Sequence, residues 1–331
     1  CRIMIKLLYV DTLGAASHSI TSKGIINALH ELANEGLIEF KVINHFQIEH
    51  HFIKPFEPDW AFCSTPLTHY TYLLKKKGYR SLGYDLEGTY EWDRFSKTDS
   101  PNFDAVATVD KAACDKLKSI GVKNVLHLPL GFDASVYNPL INIDDNHRSD
   151  VCITGVMFDN RVKIVNALAP LKGQIKLRVI AGWANRIQTD HVTYLHKIDS
   201  KFMPIEDVIK YYLGAKIILI GHRDYEPANS EYKNGLKGTT PGRIFQETAL
   251  KRLVMVDNTR PETLDYFKDG KEIIVFNDDE DLRNKVMYYL QHDEIREWIA
   301  SNGYNRTIKE NTYKHRLLKM IAFLQGVDNG I

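Results

Sequence analysis

The chain has 331 residues, 44% hydrophobic and 26% charged, with 43 Lys and Arg against 42 Asp and Glu for a net charge of +1. That length suffices for two domains of ordinary size, each with its own core. The balanced charge speaks against a dedicated nucleic-acid binder, whose domain is clearly basic, and no apolar run approaches the roughly 20 residues that span a bilayer. Cys1, Cys63, Cys114 and Cys152 form no CxxC pair and no metal-ligand spacing, so they read as thiols of a reducing compartment. The N-terminus lacks the basic, apolar and small-residue regions of a signal peptide, and the expected location is cytoplasmic.

Along the first half, strands alternate with helices. Ile3 to Val10 is an apolar run that reads as a buried strand, followed by a small, polar loop from Asp11 to Ser19. Ile20 to Glu35 has helical spacing through Ile25, Ile26, Leu29, Leu32 and Ala33. Ile38 to Ile43, Trp60 to Cys63, Ser81 to Tyr84 and Ala105 to Val109 read as strands, with Thr68 to Lys77 and Lys111 to Ile120 as helices. The pattern breaks after Leu130, where Asp133 to Asp150 reads as a linker. A second series follows: strands at Val151 to Thr154, Leu177 to Ala181, Ala215 to Ile220, Leu253 to Val256 and Ile273 to Phe276. Between them, helices are expected at Arg161 to Leu168, Pro204 to Tyr212, Arg243 to Leu250 and Asp281 to Leu290, and the stretch from Glu294 to Leu324 is helical and charged, with a final helix near Thr312 to Leu324.

Such alternation implies α/β domains with parallel sheets covered on both faces. The expected division is 1–140, 141–305, and a C-terminal helix, 306–331, that returns to the first domain. Ligands of open parallel sheets sit beyond the carboxyl ends of the strands, and clefts between domains are usual small-molecule sites. Transferases, periplasmic binding proteins and some dehydrogenases share this plan. No GxGxxG or GxxxxGK[ST] follows a first strand, which weakens the dehydrogenase and P-loop readings.

Five segments in order resemble the CgeB-like, spore-maturation branch of the group 1 glycosyltransferases. They are Phe103-Asp104-Ala105-Val106-Ala107-Thr108-Val109-Asp110; Leu128-Pro129-Leu130-Gly131-Phe132-Asp133 with Val136 to Pro139; and Asp150 to Gly155 with Asn160-Arg161. Then come Arg243-Ile244-Phe245-Gln246-Glu247 with Asp257 and Gly270 to Ile273, and finally Tyr288 to Arg316. The resemblance implies the GT-B fold, two Rossmann-like doubly wound parallel-sheet domains facing a cleft. It further implies metal-independent hexosyl transfer from a nucleotide sugar, a UDP-sugar being the expected co-substrate, with no cofactor. The acceptor stays open among glycan, protein and DNA.

Glycosyl transfer requires that the leaving diphosphate be stabilised, the donor held, and a proton removed from the acceptor. Arg243 is the leading donor-binding candidate, because Thr240, Pro241 and Gly242 read as a turn opening a helix whose N-terminus favours a phosphate. Its structural alternative is a surface pair with Glu247. Gly155 would admit the diphosphate close to backbone, with Arg161 a few residues on, and His222-Arg223 follows a strand's carboxyl end. Gln246 stands where the family has the Glu that grips ribose, leaving Glu247 as a neighbour that could substitute only from a shifted helix. As catalytic candidates, Asp85 and Glu87 match the family's acidic site, and His18 lies in the first loop. His45, His50 and His51 match no metal pattern. Two other readings compete: a non-catalytic sugar- or nucleotide-binding surface protein, which Gln246 favours, and a phage-type DNA base glucosyltransferase.

Overall fold

The computed structural model describes residues 4–11, 19–44, 47–48, 56–64, 68–86, 88–182, 184–187, 193–198, 203–223 and 242–328. They divide into two compact units, one formed by Cys1–Asp133 with Thr312–Ile331, the other by Ala134–Asp224 with Thr240–Asn311.

The first unit runs β1 (Ile5–Asp11), α1 (Ser19–Asn34), β2 (Ile38–Asn44), β3 (Trp60–Ser64), α2 (Thr68–Lys76), β4 (Ser81–Asp85), β5 (Ala105–Thr108), α3 (Lys111–Ser119) and β6 (Val125–His127). All pairings are parallel, in the order β2-β1-β3-β4-β5-β6. Successive side chains of a strand point to opposite faces. Leu7, Tyr9, Trp60, Phe62 and Leu82 accordingly pack with Ile25, Leu29 and Leu32 of α1. Leu8, Val10, Ala61, Cys63 and Val106 pack on the other side with Leu74 of α2 and with Ala113 and Leu117 of α3. Burial on both faces is why these strands are continuous apolar runs rather than alternating ones.

The second unit repeats the plan. It contains β7 (Ser149–Thr154), α4 (Asp159–Ala167), β8 (Leu177–Gly182), β9 (Thr193–Ile198), α5 (Ile205–Gly214), β10 (Ala215–Ile220), α6 (Arg243–Thr248), β11 (Leu253–Asp257), β12 (Ile274–Phe276), α7 (Asp279–Gln291) and α8 (Asp293–Glu310). Its parallel sheet has the order β12-β11-β10-β7-β8-β9. One face is apolar: Val151, Ile153, Leu177, Val179, Ile217, Leu219 and Met255 meet Ile164 and Val165 of α4 and Leu282 and Val286 of α7. The alternate residues of β7, Cys152 and Thr154, point the other way, toward a polar cluster described below.

The last helix, α9 (Tyr313–Asp328), belongs to the first unit, where Tyr313, Leu317, Met320 and Leu324 join the core of α1. Asn311 and Thr312 separate α8 from this last helix, within the helical stretch read from Glu294 to Leu324. Thr312 bridges Phe132, and a Cβ on Gly131 would come within 2.7 Å of the Tyr313 nitrogen. The edge strands β6 and β9 and the tight helical turns between Gly88 and Asn102 are further additions to the sequence reading. The three residues of β6, Val125 to His127, are each only half-buried and so carry little apolar pattern.

Gly303 of α8 tests this packing. A Cβ there would overlap the Glu272 carbonyl oxygen. Helix propensity alone favours alanine by about 1 kcal/mol. Overpacking costs about 1–3 kcal/mol. Gly303→Ala is therefore expected to lower the denaturant midpoint of unfolding, and a raised midpoint would contradict the close approach.

Candidate functional site

The carboxyl end of β7 gathers the charged residues of the second unit. Gly155 follows it with φ 106°, in the left-handed region where a side chain is strained. Its N–H donates to the Ile180 carbonyl at 2.9 Å. A Cβ at this position would lie 2.9 Å from Arg161 Nη1 and 3.0 Å from Arg243 Nη1. Two guanidiniums thus converge on one space that only glycine leaves clear.

Arg161, the third residue of α4, is 8% exposed. Its Nε donates to the Gly221 carbonyl at 2.7 Å and its Nη1 to the Val156 carbonyl at 2.8 Å. Gly221 is needed here too, since a Cβ would stand 2.9 Å from Arg161 Cγ. Both acceptors are neutral, and among the described residues no carboxylate pairs with Arg161. A guanidinium has five N–H donors; with two committed, three are left. Burial, with the like charge of Arg243 beside it, pulls the Arg161 pKa down to about 9. Phe158 provides no side-chain cap for α4, so the first-turn N–H groups also lie open to an anion.

Arg243 is placed differently from the sequence expectation. It opens α6, which has only six residues, and Gly242 supplies no side-chain cap. Its Nε and Nη2 donate to Glu247 Oε1 at 3.1 and 2.7 Å. Nη2 also donates to Thr154 Oγ1 at 2.9 Å and to the Tyr212 hydroxyl at 2.8 Å, and Nη1 to the Thr154 carbonyl at 3.1 Å. One N–H, on Nη1, is left for the space at Gly155. Burial opposes the Arg243 charge, but Tyr212 and Glu247 outweigh it and hold its pKa above the ordinary value. The pair with Glu247 is an interior one: Glu247 is 1% exposed and also accepts from Tyr212 at 2.7 Å. Glu247 is therefore not presented to a donor, as the sequence reading allowed, but turned onto Arg243. Arg161, rather than Arg243, carries most of the uncommitted donors.

His222 and Arg223 follow β10. The His222 backbone N–H and Nδ1 both reach the Asp257 carboxylate, at 2.7 and 2.8 Å. Asn160 Nδ2 donates to the His222 carbonyl at 3.1 Å and to Asp257 Oδ2 at 3.2 Å, fastening α4 to β10 and β11. His222 is 1% exposed, and burial lowers its pKa. Burial alone would raise Asp257, but the bonds from His222 and Thr259 hold it well below the usual carboxylate range. His222 is thus a brace of the site. The Arg223 guanidinium lies 4.9 Å from the Phe158 ring centre, and that of Arg161 lies 5.6 Å from it. Gln246 is half-buried.

In the first unit, Asp85 ends β4, is 1% exposed and accepts from the Gly88 N–H at 2.9 Å, so it holds a turn. Asp110 grips the Thr89 N–H of the same turn at 2.9 Å. Glu87, His18 and Thr240 lie outside the described residues, as do His45, His50 and His51. Asp144 and Asp278, each in an Asp-Asp pair, cap helical turns. Thr154, Tyr212 and Gly221 were not singled out from the sequence. Their partners are distant along the chain, and only Gly221, a glycine directly after a strand, carried any local signal.

Residues 161–322 match the family described as glycosyl transferase-like. The chain is 23% identical over 222 residues to spore protein CgeB of Bacillus subtilis, a match covering 66% of this chain and 67% of that protein. Among solved structures it is similar to sucrose-phosphate synthase from Thermosynechococcus elongatus, with TM-score 0.64, 12% identity, and 99% and 100% of the two chains covered. It is also similar to Anabaena HepE in complex with UDP and glucose, with TM-score 0.63, 12% identity, and 97% and 100% covered. The fold is GT-B. No helix among the described residues is long and apolar enough to cross a membrane.

Two outcomes follow from this geometry. Arg243→Ala strands the buried Glu247 carboxylate, a change that costs about 3–5 kcal/mol. Denaturant unfolding is expected to show that loss. A loss near 0.5 kcal/mol, the order of a surface pair, would contradict the interior placement. The second outcome concerns acid. The folded pKa of His222 lies below 6.5, so the unfolded chain takes up its proton first and stability falls as pH drops below that value. Asp257, held below 3.8, adds stability that is lost at still lower pH. His222→Asn should flatten the upper part of this decline, just below about pH 6.5, and an unchanged slope would show that His222 does not titrate there.

Proposed function

We propose that this chain, which is similar to spore protein CgeB and matches a glycosyl transferase-like family over residues 161–322, transfers a hexose from a UDP-sugar to an acceptor hydroxyl without a divalent metal. The observation that carries this reading is Arg161, a nine-tenths buried guanidinium with three uncommitted N–H groups beside Gly155. A buried cation without a counter-charge is costly, and a diphosphate at Gly155 would remove that cost while gaining charge-assisted hydrogen bonds. HepE, which shares the fold, is known in complex with UDP and glucose, and this likeness supports the choice of nucleotide by analogy alone.

In this reading the bond between the anomeric carbon and the β-phosphate oxygen breaks as the acceptor oxygen attacks that carbon. Negative charge grows on the departing UDP. Arg161, the last N–H of Arg243 and the first turn of α4 meet that charge, which lowers the barrier only as far as they bind the departing diphosphate better than the intact donor. Asn160, His222 and Asp257 hold α4 in place, and Arg223 flanks Phe158. Deprotonation of the acceptor is assigned to Glu87, His18 or Asp85, of which Asp85 also holds a turn through the Gly88 N–H.

Gln246 supports a second reading, a protein that binds nucleotide sugars without turnover. A neutral amide can hydrogen-bond ribose hydroxyls but without charge assistance. Slow release of UDP from UDP-glucose by the purified protein favours the enzyme, and none favours the binder.

The direct test of the site is calorimetric titration of UDP in the presence of EDTA. Arg161→Met keeps the packing volume and removes the charge. A charge-assisted hydrogen bond contributes about 1.5–3 kcal/mol, so the affinity should fall roughly 10- to 100-fold. Arg161→Lys should recover part of it, as a point charge without the fork. Equal affinity in all three proteins would remove Arg161 from the site. Wild-type binding that disappears in EDTA and returns with manganese or magnesium would contradict the metal-free reading.

A further inference from the structure

The two guanidiniums at Gly155 share one carboxylate among the described residues, that of Glu247, and it faces only one of them. Glu247 Oε1 takes bonds from Arg243 Nε, Arg243 Nη2 and the Tyr212 hydroxyl, while Oε2 is buried with no hydrogen-bond partner. Glu247 is 1% exposed, so it reaches no ligand itself. It acts on the Gly155 space through Arg243, in two ways. It fixes the guanidinium so that a single N–H edge faces that space, and its negative charge offsets the charge Arg243 would otherwise present. Arg161, whose acceptors are neutral carbonyls, bonds no carboxylate among the described residues and feels the Glu247 charge only through space.

Building on the diphosphate reading above, we propose that Glu247 is a positioning residue that weakens the hold of the site on the anionic nucleotide, and so favours release of UDP after transfer. Arg161 then acts as the anion receptor, and the Arg243–Glu247 pair as a nearly neutral wall beside it. A carboxylate a few ångströms behind a guanidinium subtracts from the potential a diphosphate feels, and the effect persists where water is excluded. Strong binding of a product is a liability when its departure limits turnover.

Glu247→Gln isolates this effect. The amide oxygen can keep the Oε1 bonds and the volume is unchanged, while the amide nitrogen replaces an oxygen that accepts nothing. UDP and inorganic pyrophosphate are titrated separately into wild type and variant. Both should bind roughly three- to tenfold more tightly to Glu247→Gln, with slower dissociation of UDP in stopped-flow displacement. A role in packing alone can loosen binding but does not tighten it. The neutral double variant Arg243→Gln with Glu247→Gln buries no charge, which guards against a single variant that fails to fold. It should bind UDP no more tightly than wild type, because the Arg243 charge that Glu247→Gln uncovers is no longer there. Unchanged or weaker UDP binding by folded Glu247→Gln, or a double variant that binds UDP more tightly than wild type, would overturn the proposal alone. If wild type binds neither UDP nor pyrophosphate, the diphosphate reading fails and the proposal falls with it.

Discussion

Two like charges held around one glycine are the constraint on which the second unit depends. Guanidiniums repel each other, and that repulsion must be offset for Arg161 and Arg243 to stand with their Nη1 atoms each about 3 Å from the position a Gly155 Cβ would take. The local sequence is arranged around this demand. Gly155 adopts a positive φ and leaves the space clear, and Gly221 lets the Arg161 side chain lie against the chain. Thr154, Tyr212 and Glu247 absorb nearly all the donors of Arg243, while Arg161 is left with carbonyl partners only. The asymmetry makes one cation structural and the other available.

The fold explains why this is possible inside a domain. β7 lies in the middle of its sheet, between β10 and β8, and its residues alternate between two environments. Val151 and Ile153 enter an apolar layer with α4 and α7 that is closely packed and gives the strand a rigid bed. Cys152 and Thr154 face the layer that contains Tyr212 and Glu247. Burial of the Cys152 thiol, with the charge of Glu247, raises its pKa and keeps it protonated. The site is thus built on the carboxyl end of a central strand of a parallel sheet, where backbone groups and helix starts meet.

Much of the frame was legible in the sequence because burial on both faces leaves a strong mark. Runs such as Ile217 to Ile220 and Leu7 to Val10 are apolar at every position, which only a covered sheet tolerates. β6 escaped because its three residues are each only half-buried, and β9 because Thr193 to Ile198 mixes His and Lys with its apolar residues; the separate last helix was expected, but its start at Tyr313 was not fixed. In the site, Gly155 and Arg161 were legible as a glycine and a cation just beyond a strand. The pairing of Arg243 with Glu247 was also legible from its spacing of four. Its weight was not, because the residues that make it an interior pair lie far away: Tyr212 is 31 positions from Arg243 and Thr154 is 89. Asp85 shows a related limit: a carboxylate after a strand looks like a site, and its bond to the Gly88 N–H, which holds a turn, is visible only in the structure.

The central claim is that Arg161 is the anion receptor of this GT-B protein. A crystal structure of the protein with UDP tests it most directly. The account predicts diphosphate oxygens within hydrogen-bond distance of Arg161 Nη1 or Nη2, lying over Gly155, with Glu247 still bound to Arg243 and not to the nucleotide. A nucleotide seated away from Gly155, or a diphosphate held by Arg243 with Arg161 still on its two carbonyls alone, would contradict it.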